Sequence, residues 1–249
     1  MHPAGHLDWV LLDFGNPEYQ AAWAQRVADN VEADGWTGVE VVDASNLPQW
    51  SQPPLDPRTG QEMSEDDRRR YLAEALALVR AAMKTRGFSL IAVNDPPVVV
   101  DLAQIGSTDG VSVGEGFARL RGAAWQQLFD YFQAAVEVEV GAWVWDGDRG
   151  LTRDQRLYGL ASYLLVSSRL SAYGAPSHPS DPLYAIDLGE PLDVTRAEGP
   201  VRLREFDRGL VAVNPGEVAA DVTLSGHGDV RLPPGGAVIA GPDGVFQSG

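Results

Sequence analysis

Thr108-Asp109-Gly110-Val111-Ser112-Val113-Gly114-Glu115-Gly116-Phe117 reads as a short buried strand that ends in a carboxylate held between two glycines. Val111 and Val113 alternate with small residues, the pattern of a strand in a tight core. Gly114 and Gly116 free the backbone to turn sharply and to come close to a ligand. Glu115 stands between them with no apolar neighbour to cover it. In parallel α/β folds, chemistry is placed where a strand ends and the chain runs on towards a helix. The competing reading has Glu115 open the next helix, where an acid suits the helix N-terminus. This stretch admits both readings.

Outward from it, strands and helices alternate. Residues 7–14, an apolar run ended by Gly15, are of strand length, and Asn16-Pro17 then opens a helix, with Asn as cap and Pro in the first turn. Tyr19, Trp23, Val27 and Val31 share one face of that helix, which is expected to stop near Gly35. Residues 38–43 form a second strand that also ends in a carboxylate, Asp43. A polar, proline-bearing loop over 47–60 carries Trp50, and loops of that length are usually functional. Ser64-Glu65-Asp66-Asp67 opens the next helix and Gly87 closes it. A strand over 88–93 terminates at Asn94-Asp95-Pro96. Beyond the opening stretch, the pattern predicts a helix over 117–135, a strand over 136–144, a helix over 152–170 and a short strand at 171–174. Repetition of strand and helix predicts a parallel sheet with helices outside it.

The character changes after a proline- and serine-rich joint at 176–182. Short alternating runs at 201–206, 209–213, 221–224 and 237–240, separated by Gly and Pro, predict a small antiparallel β-sandwich. The domains are therefore expected at 1–175 and 184–249.

Composition narrows the function. A net charge of −16 over 249 residues argues against nucleic acid or an anionic membrane as partner. No run approaches the ~18 apolar residues of a membrane span. The chain has no cysteine, and its histidines, His2, His6, His178 and His227, show no metal-ligand spacing, so neither metal nor cofactor is expected. There is no glycine-rich phosphate loop and no G-x-S-x-G elbow. The opening residues Met1 to His6 have neither a basic nor an apolar leader region, so no signal peptide is expected within this chain.

What remains is carboxylates at strand ends. If the sheet is parallel, Asp43, Asn94-Asp95 and Glu115 lie on one rim, with Asp43 and Glu115 two strands apart, roughly 10 Å. Inward-leaning side chains reach either carboxyl separation used in glycoside cleavage, about 5–5.5 Å or about 6.5–9.5 Å. One acid would protonate the leaving oxygen while the other, ionised, attacks or stabilises positive charge. Trp50, Trp143 and Trp145 suit the apolar face of a sugar, and Asn94 and Asp95 would contact substrate. Capping or turn chemistry competes for Asp43 and for Asn94-Asp95. Asp146 and Asp148 read as turn residues.

Several motifs occur in an order that resembles a known group. They are Asn16-Pro17-x-Tyr19 with Trp23, Gly38-Val39-x-Val41-Val42-Asp43, and Asp109-Gly110-Val111 leading to Glu115-Gly116-Phe117. Further on come Tyr158-x-x-Ala161-Ser162-Tyr163, Asp187-Leu188-Gly189-x-Pro191, Arg204-x-Phe206, Val213-Asn214-Pro215 and Leu232-Pro233-Pro234. Together they resemble glycoside hydrolases with a (β/α)8 TIM-type barrel related to the endo-α-1,4-galactosaminidase-like families. The resemblance implies Asp43 as nucleophile or charge stabiliser, Glu115 as general acid/base, and a polysaccharide or oligosaccharide substrate. The family's fourth strand ends in Leu-Asp-Asn or Leu-Asp-Asp, whereas this chain has Val42-Asp43-Ala44. Counted by the resemblance, residues 7–14 are the third barrel strand, so about six βα strands are present and the first two are missing. A partial barrel would expose sheet edges open to self-association or to a partner chain, and a truncated N-terminus would imply a secreted or cell-surface protein. The alternative is a non-catalytic carbohydrate-binding or interaction protein that keeps the degenerate scaffold, and an unrelated open α/β hydrolase is a third reading.

Overall fold

The computed structural model describes residues 15–42, 56, 59–94, 98–147, 150–174, 181–242 and 244–248. The expected strand at 7–14 lies outside them.

Helix α1 (Pro17–Ala33) starts as the sequence requires: the Asn16 side chain accepts from the amides of Glu18 and Tyr19, and Pro17 takes the first turn. Helix α2 (Glu65–Lys84) has the Ser64 hydroxyl on the Asp67 amide, three acids in its first turn and Lys84 in its last. Gly35 and Gly87, both at positive φ, stop the two helices. Between and after them run β1 (Gly38–Val41), β2 (Ser89–Asn94), the one-turn helix α3 (Leu102–Ile105), β3 (Gly110–Val113), α4 (Gly122–Glu137), β4 (Gly141–Trp145), α5 (Arg153–Val166) and β5 (Ala172–Gly174).

The five strands form one parallel sheet in the order β1-β2-β3-β4-β5. Sequence order equals spatial order, so the described sheet has no switch point of the doubly wound kind. Its register sorts the side chains. Val39 and Val41 pair with Leu90 and Ala92, Ala92 with Val111, and Val111 and Val113 with Ala142 and Val144. These residues form the outer face, and it is on this face that the helices pack. Val39, Val41 and Leu90 lie under α1 and α2 with Leu76, Val79 and Met83. Val111, Val113, Ala142 and Val144 lie under α4 and α5 with Trp125, Phe132, Leu157 and Tyr158. The alternate residues, Glu40, Ile91, Val93, Gly110, Ser112, Trp143, Trp145 and Gly174, form the opposite, inner face.

Three boundaries differ from the sequence reading by more than two residues, each for a physical reason. Residues 117–121 are not helical: α4 begins at Gly122, whose φ is +54° and whose N–H donates to Pro215 O at 2.8 Å. Residues 136 and 137 belong to α4 rather than to a strand. Helix α4 ends in a Schellman turn, with the Val140 amide on Ala135 O at 2.9 Å and the Glu139 amide on Val136 O at 3.1 Å. Glu139 itself occupies the left-handed position at φ +60°. Helix α5 stops at Val166, where Ser167 turns into extended backbone at φ −68°, ψ 147°, and a guanidinium binds the carbonyls at that end. Arg204 Nη1 donates to the oxygens of Leu164, Leu165 and Ser167 at 3.0, 3.2 and 2.8 Å.

Arg204 comes from the C-terminal part, which is antiparallel throughout. Strands β6 (Arg196–Glu198), β7 (Val201–Phe206), β8 (Gly209–Val213), β11 (Ala237–Gly241) and β12 (Gly244–Gln247) make a five-stranded sheet, and β9 (Ala220–Leu224) pairs with β10 (Gly228–Leu232). One face of the larger sheet buries Val201, Leu203, Leu210, Ala212 and Val238 against Val222, Leu224 and Leu232 of the smaller. Its other face sends Val211, Val213, Ala237 and Ile239 into the core that holds α5. Apolar packing is therefore continuous from the parallel sheet through α5 to the antiparallel one.

Candidate active site at the strand ends

Because the sheet is parallel, the residues after β1 to β5 share one rim. Val113 of β3 pairs with Val144 of β4, so Glu115 and Asp146, each two residues further on, stand on neighbouring strands. Glu115 is exposed, at the end of the central strand, and seven residues ahead of α4. That distance rules out the reading in which it opens the helix. Its carboxylate has no hydrogen-bond or ion-pair partner among the described residues. The backbone places it: the Gly116 N–H donates to Trp145 O at 2.9 Å, which ties the turn to the end of β4.

Asp146 behaves differently from the turn residue expected of it. It is 2% exposed, the one buried Asp or Glu among the described residues. Its Oδ1 accepts the Ala118 N–H at 2.8 Å and its Oδ2 accepts the Tyr173 hydroxyl at 2.8 Å. Room for it is made by two glycines. A Cβ on Gly116 would stand 2.7 Å from Oδ1, and one on Gly159 of α5 would stand 2.3 Å from Oδ2. Burial pushes its carboxyl above the ordinary aspartate range, while the Ala118 amide, the Tyr173 hydroxyl and the Arg119 charge pull it back. The sequence signal that could have found it is the pair of glycines, and they are 43 positions apart in the chain.

The remaining expected site residues divide. Trp145, 49% exposed, and Trp143, 38% exposed, both stand on the inner face. Each covers a glycine of an adjoining strand: a Cβ on Gly174 would meet the Trp145 ring at 2.4 Å, and one on Gly110 would meet Trp143 Nε1 at 3.0 Å. The backbone beneath thus lets the indoles lie close to the sheet. Trp145 ends β4 beside Glu115. Trp143 instead borders a cavity of about 400 Å3 at the opposite rim, with Arg80, Lys84, Asp109 and Glu139 around it.

Asn94 corrects the sequence reading. It belongs to the outer row with Val113 and is 5% exposed. Its amide donates to the Tyr131 hydroxyl at 2.6 Å and its carbonyl accepts from Gln104 at 3.5 Å. Strand alternation turned it into the helix layer, so it braces α3 and α4 and does not face a substrate. Asp43, Trp50, Asp95 and Asp148 lie outside the described residues. Topology fixes one thing about Asp43: β1, which leads to it, runs parallel to β3 with β2 alone between them. Among the described residues no three His, Asp or Glu side chains converge as metal ligands, and no helix is long and apolar enough to cross a membrane.

The family model "Hypothetical glycosyl hydrolase family 15" (GHL15) matches residues 3–210, which takes in the whole parallel sheet and reaches β8. The chain belongs to this family. GHL15 membership places it among glycosyl hydrolases, as the sequence resemblance implied; the kinship with galactosaminidase-like families is not part of the match. No curated protein sequence matches the chain. Among solved structures, the cyclic alpha-maltosyl-(1→6)-maltose hydrolase from Arthrobacter globiformis, ligand-free, is similar at TM-score 0.44 and 14% identity, over 94% of this chain and 60% of its own. A mutant of catalytic domain 2 of the Ostrinia furnacalis Group II chitinase, in complex with penta-N-acetylchitooctaose, is similar at TM-score 0.36 and 13% identity, over 53% of this chain and 39% of its own. The chain spans less than two thirds of the length of either.

Proposed function

We propose that this GHL15 chain forms part of a (β/α)8-type barrel wall, followed by a β-sandwich, and cleaves a glycosidic bond in a polysaccharide or oligosaccharide. Glu115 is the general acid/base and Asp43 the nucleophile or charge stabiliser. The observation that carries this is an exposed Glu115 at the C-terminal end of the central strand of a parallel sheet wound in sequence order. Family membership and the course of β1 towards Asp43 support it.

In this reading the acetal oxygen that leaves receives the Glu115 proton. The positive charge that develops at the anomeric carbon is met by the Asp43 carboxylate; water then adds to that carbon and gives a proton back to Glu115, which completes the hydrolysis. Trp145, beside Glu115 with an open indole face, stacks on the apolar face of a sugar ring. Open sheet edges, where present, are filled by a second copy or a partner chain. The finer kinship with endo-α-1,4-galactosaminidase-like families makes an α-1,4-linked galactosamine polymer the first substrate to try.

The test is release of reducing ends from α-1,4-galactosaminan, soluble starch and glycol chitin by the parent and by Glu115→Gln. The parent is expected to release sugar from at least one polymer, and loss of the proton donor lowers that rate about 10²- to 10⁴-fold. Equal rates for the two proteins would overturn the assignment of Glu115. Binding of a polymer without release by either would instead identify a carbohydrate-binding protein on a retained scaffold.

A further inference from the structure

Glu115 has no side-chain partner among the described residues, so its location depends on how its loop is held. Between Val113 and Gly122 that loop is fixed to the sheet by few bonds. The Gly114 amide reaches Asn94 O at 3.4 Å, the Gly116 amide reaches Trp145 O at 2.9 Å, and the Ala118 amide reaches Asp146 Oδ1. The last is the one in which a charged side chain does the holding. Burying a carboxylate that has no cation in hydrogen-bond contact among the described residues is costly. Here the cavity is shaped for it by Gly116 and Gly159, and its second oxygen is bound to β5 through Tyr173. A carboxylate makes stronger hydrogen bonds than a neutral acceptor, and this one joins the Glu115 loop to the ends of β4 and β5.

We propose that Asp146 is a positioning residue: by holding Ala118 and Tyr173 together it sets where the Glu115 carboxyl stands on the rim. The inference rests on Glu115 being the proton-transferring group, and it makes the two neighbouring strand ends one unit. One acid is open to substrate, and the other, on the helix side of β4, fixes the loop of the first. Asp146 itself touches no substrate.

Amide hydrogen exchange of residues 114–121 and steady-state kinetics on a polymer that the parent hydrolyses test this in Asp146→Ala, Asp146→Asn and Tyr173→Phe. In Asp146→Ala, exchange across 114–121 is expected to accelerate about tenfold or more while 17–33 keeps its protection. kcat should fall about tenfold or more with KM nearly unchanged, the pattern of a loss confined to the transition state. Asp146→Asn retains an oxygen for the Ala118 amide and should restore both towards the parent. In a Glu115→Gln background Asp146→Ala should add no further loss, because both changes act on one group.

Unchanged exchange at 114–121 in Asp146→Ala, or a loosened loop with undiminished kcat, would overturn the proposal. If Asp146→Ala does not fold, Tyr173→Phe removes one of the two bonds and should loosen the loop part-way; no loosening there would count against it equally. Should Glu115→Gln leave hydrolysis intact, the role of Glu115 fails on that result alone. Exchange at 114–121 then still decides whether Asp146 holds the loop.

Discussion

Asp146 and Arg204 show two costs of burying charge and two ways of meeting them. Folded Asp146 keeps its proton to a higher pH than the ordinary aspartate value of 3.8 because burial disfavours its charge. Between those two values the folded state binds more protons than the unfolded one, so this group takes stability away as pH rises through the window. Asp146→Asn has no proton to lose. Urea unfolding of the two proteins is expected to give similar free energies near the ordinary aspartate value and a growing advantage for the Asn variant towards neutral pH; a constant difference across that range would contradict it. Arg204 is also desolvated, and its pKa is lowered for that reason. Its compensation is position: the guanidinium sits at the C-terminus of α5, the negative end of the helix dipole, on the carbonyls of Leu164, Leu165 and Ser167. Arg204→Met is expected to lower stability by about 2–3 kcal/mol, as loss of hydrogen bonds from a charged donor to buried carbonyls does. Arg204→Lys should recover only part, since an ammonium cannot span the same set of oxygens. The midpoint of urea unfolding reads both.

Among elements, what was legible in the sequence follows from which residue carries each boundary signal. Asn16-Pro17, Ser64, Gly35 and Gly87 announce their helix ends, and the structure uses them in those roles; Thr152, read as the first helical residue, is instead the N-cap of α5. The end of α4 carries no such signal, because Glu139 fills the left-handed position that Gly35 and Gly87 fill elsewhere. An alternating run of valines then passed for a strand. The Glu115 turn was legible from Gly114 and Gly116. Asp146 was not, because Gly116, Gly159 and Tyr173 surround it only after folding. Asn94 misled for a related reason: one step of strand alternation decides which face a side chain takes. Glu139→Gly is expected to stabilise the chain by about 0.5–1 kcal/mol, since it relieves a left-handed backbone against a greater loss of chain entropy. Thermal unfolding checks it; a lower midpoint would mean that the Glu139 side chain contributes more than its backbone costs.

At the scale of the molecule, the sequence read two parts and the structure shows them sharing apolar packing through α5. Val211, Val213, Ala237 and Ile239 of the antiparallel sheet pack in the cluster that also holds Leu157, Tyr158 and Val111. A shared core predicts a single cooperative transition, with far-ultraviolet dichroism and tryptophan fluorescence coincident in urea; two separated transitions would show that the parts fold independently. That the repeated βα units build a parallel sheet was legible as well; the order of its strands was not, because the same repeats also wind into the doubly wound order with a switch point. Which face of the sheet the helices cover was not legible either, since that depends on register. All of it converges on Glu115, exposed at the end of the middle strand. The most direct measurement is the rate of reducing-end release from the polymer panel by the parent and by Glu115→Gln at equal folded concentration. A large loss in the variant is predicted, and equal release from both would contradict the assignment.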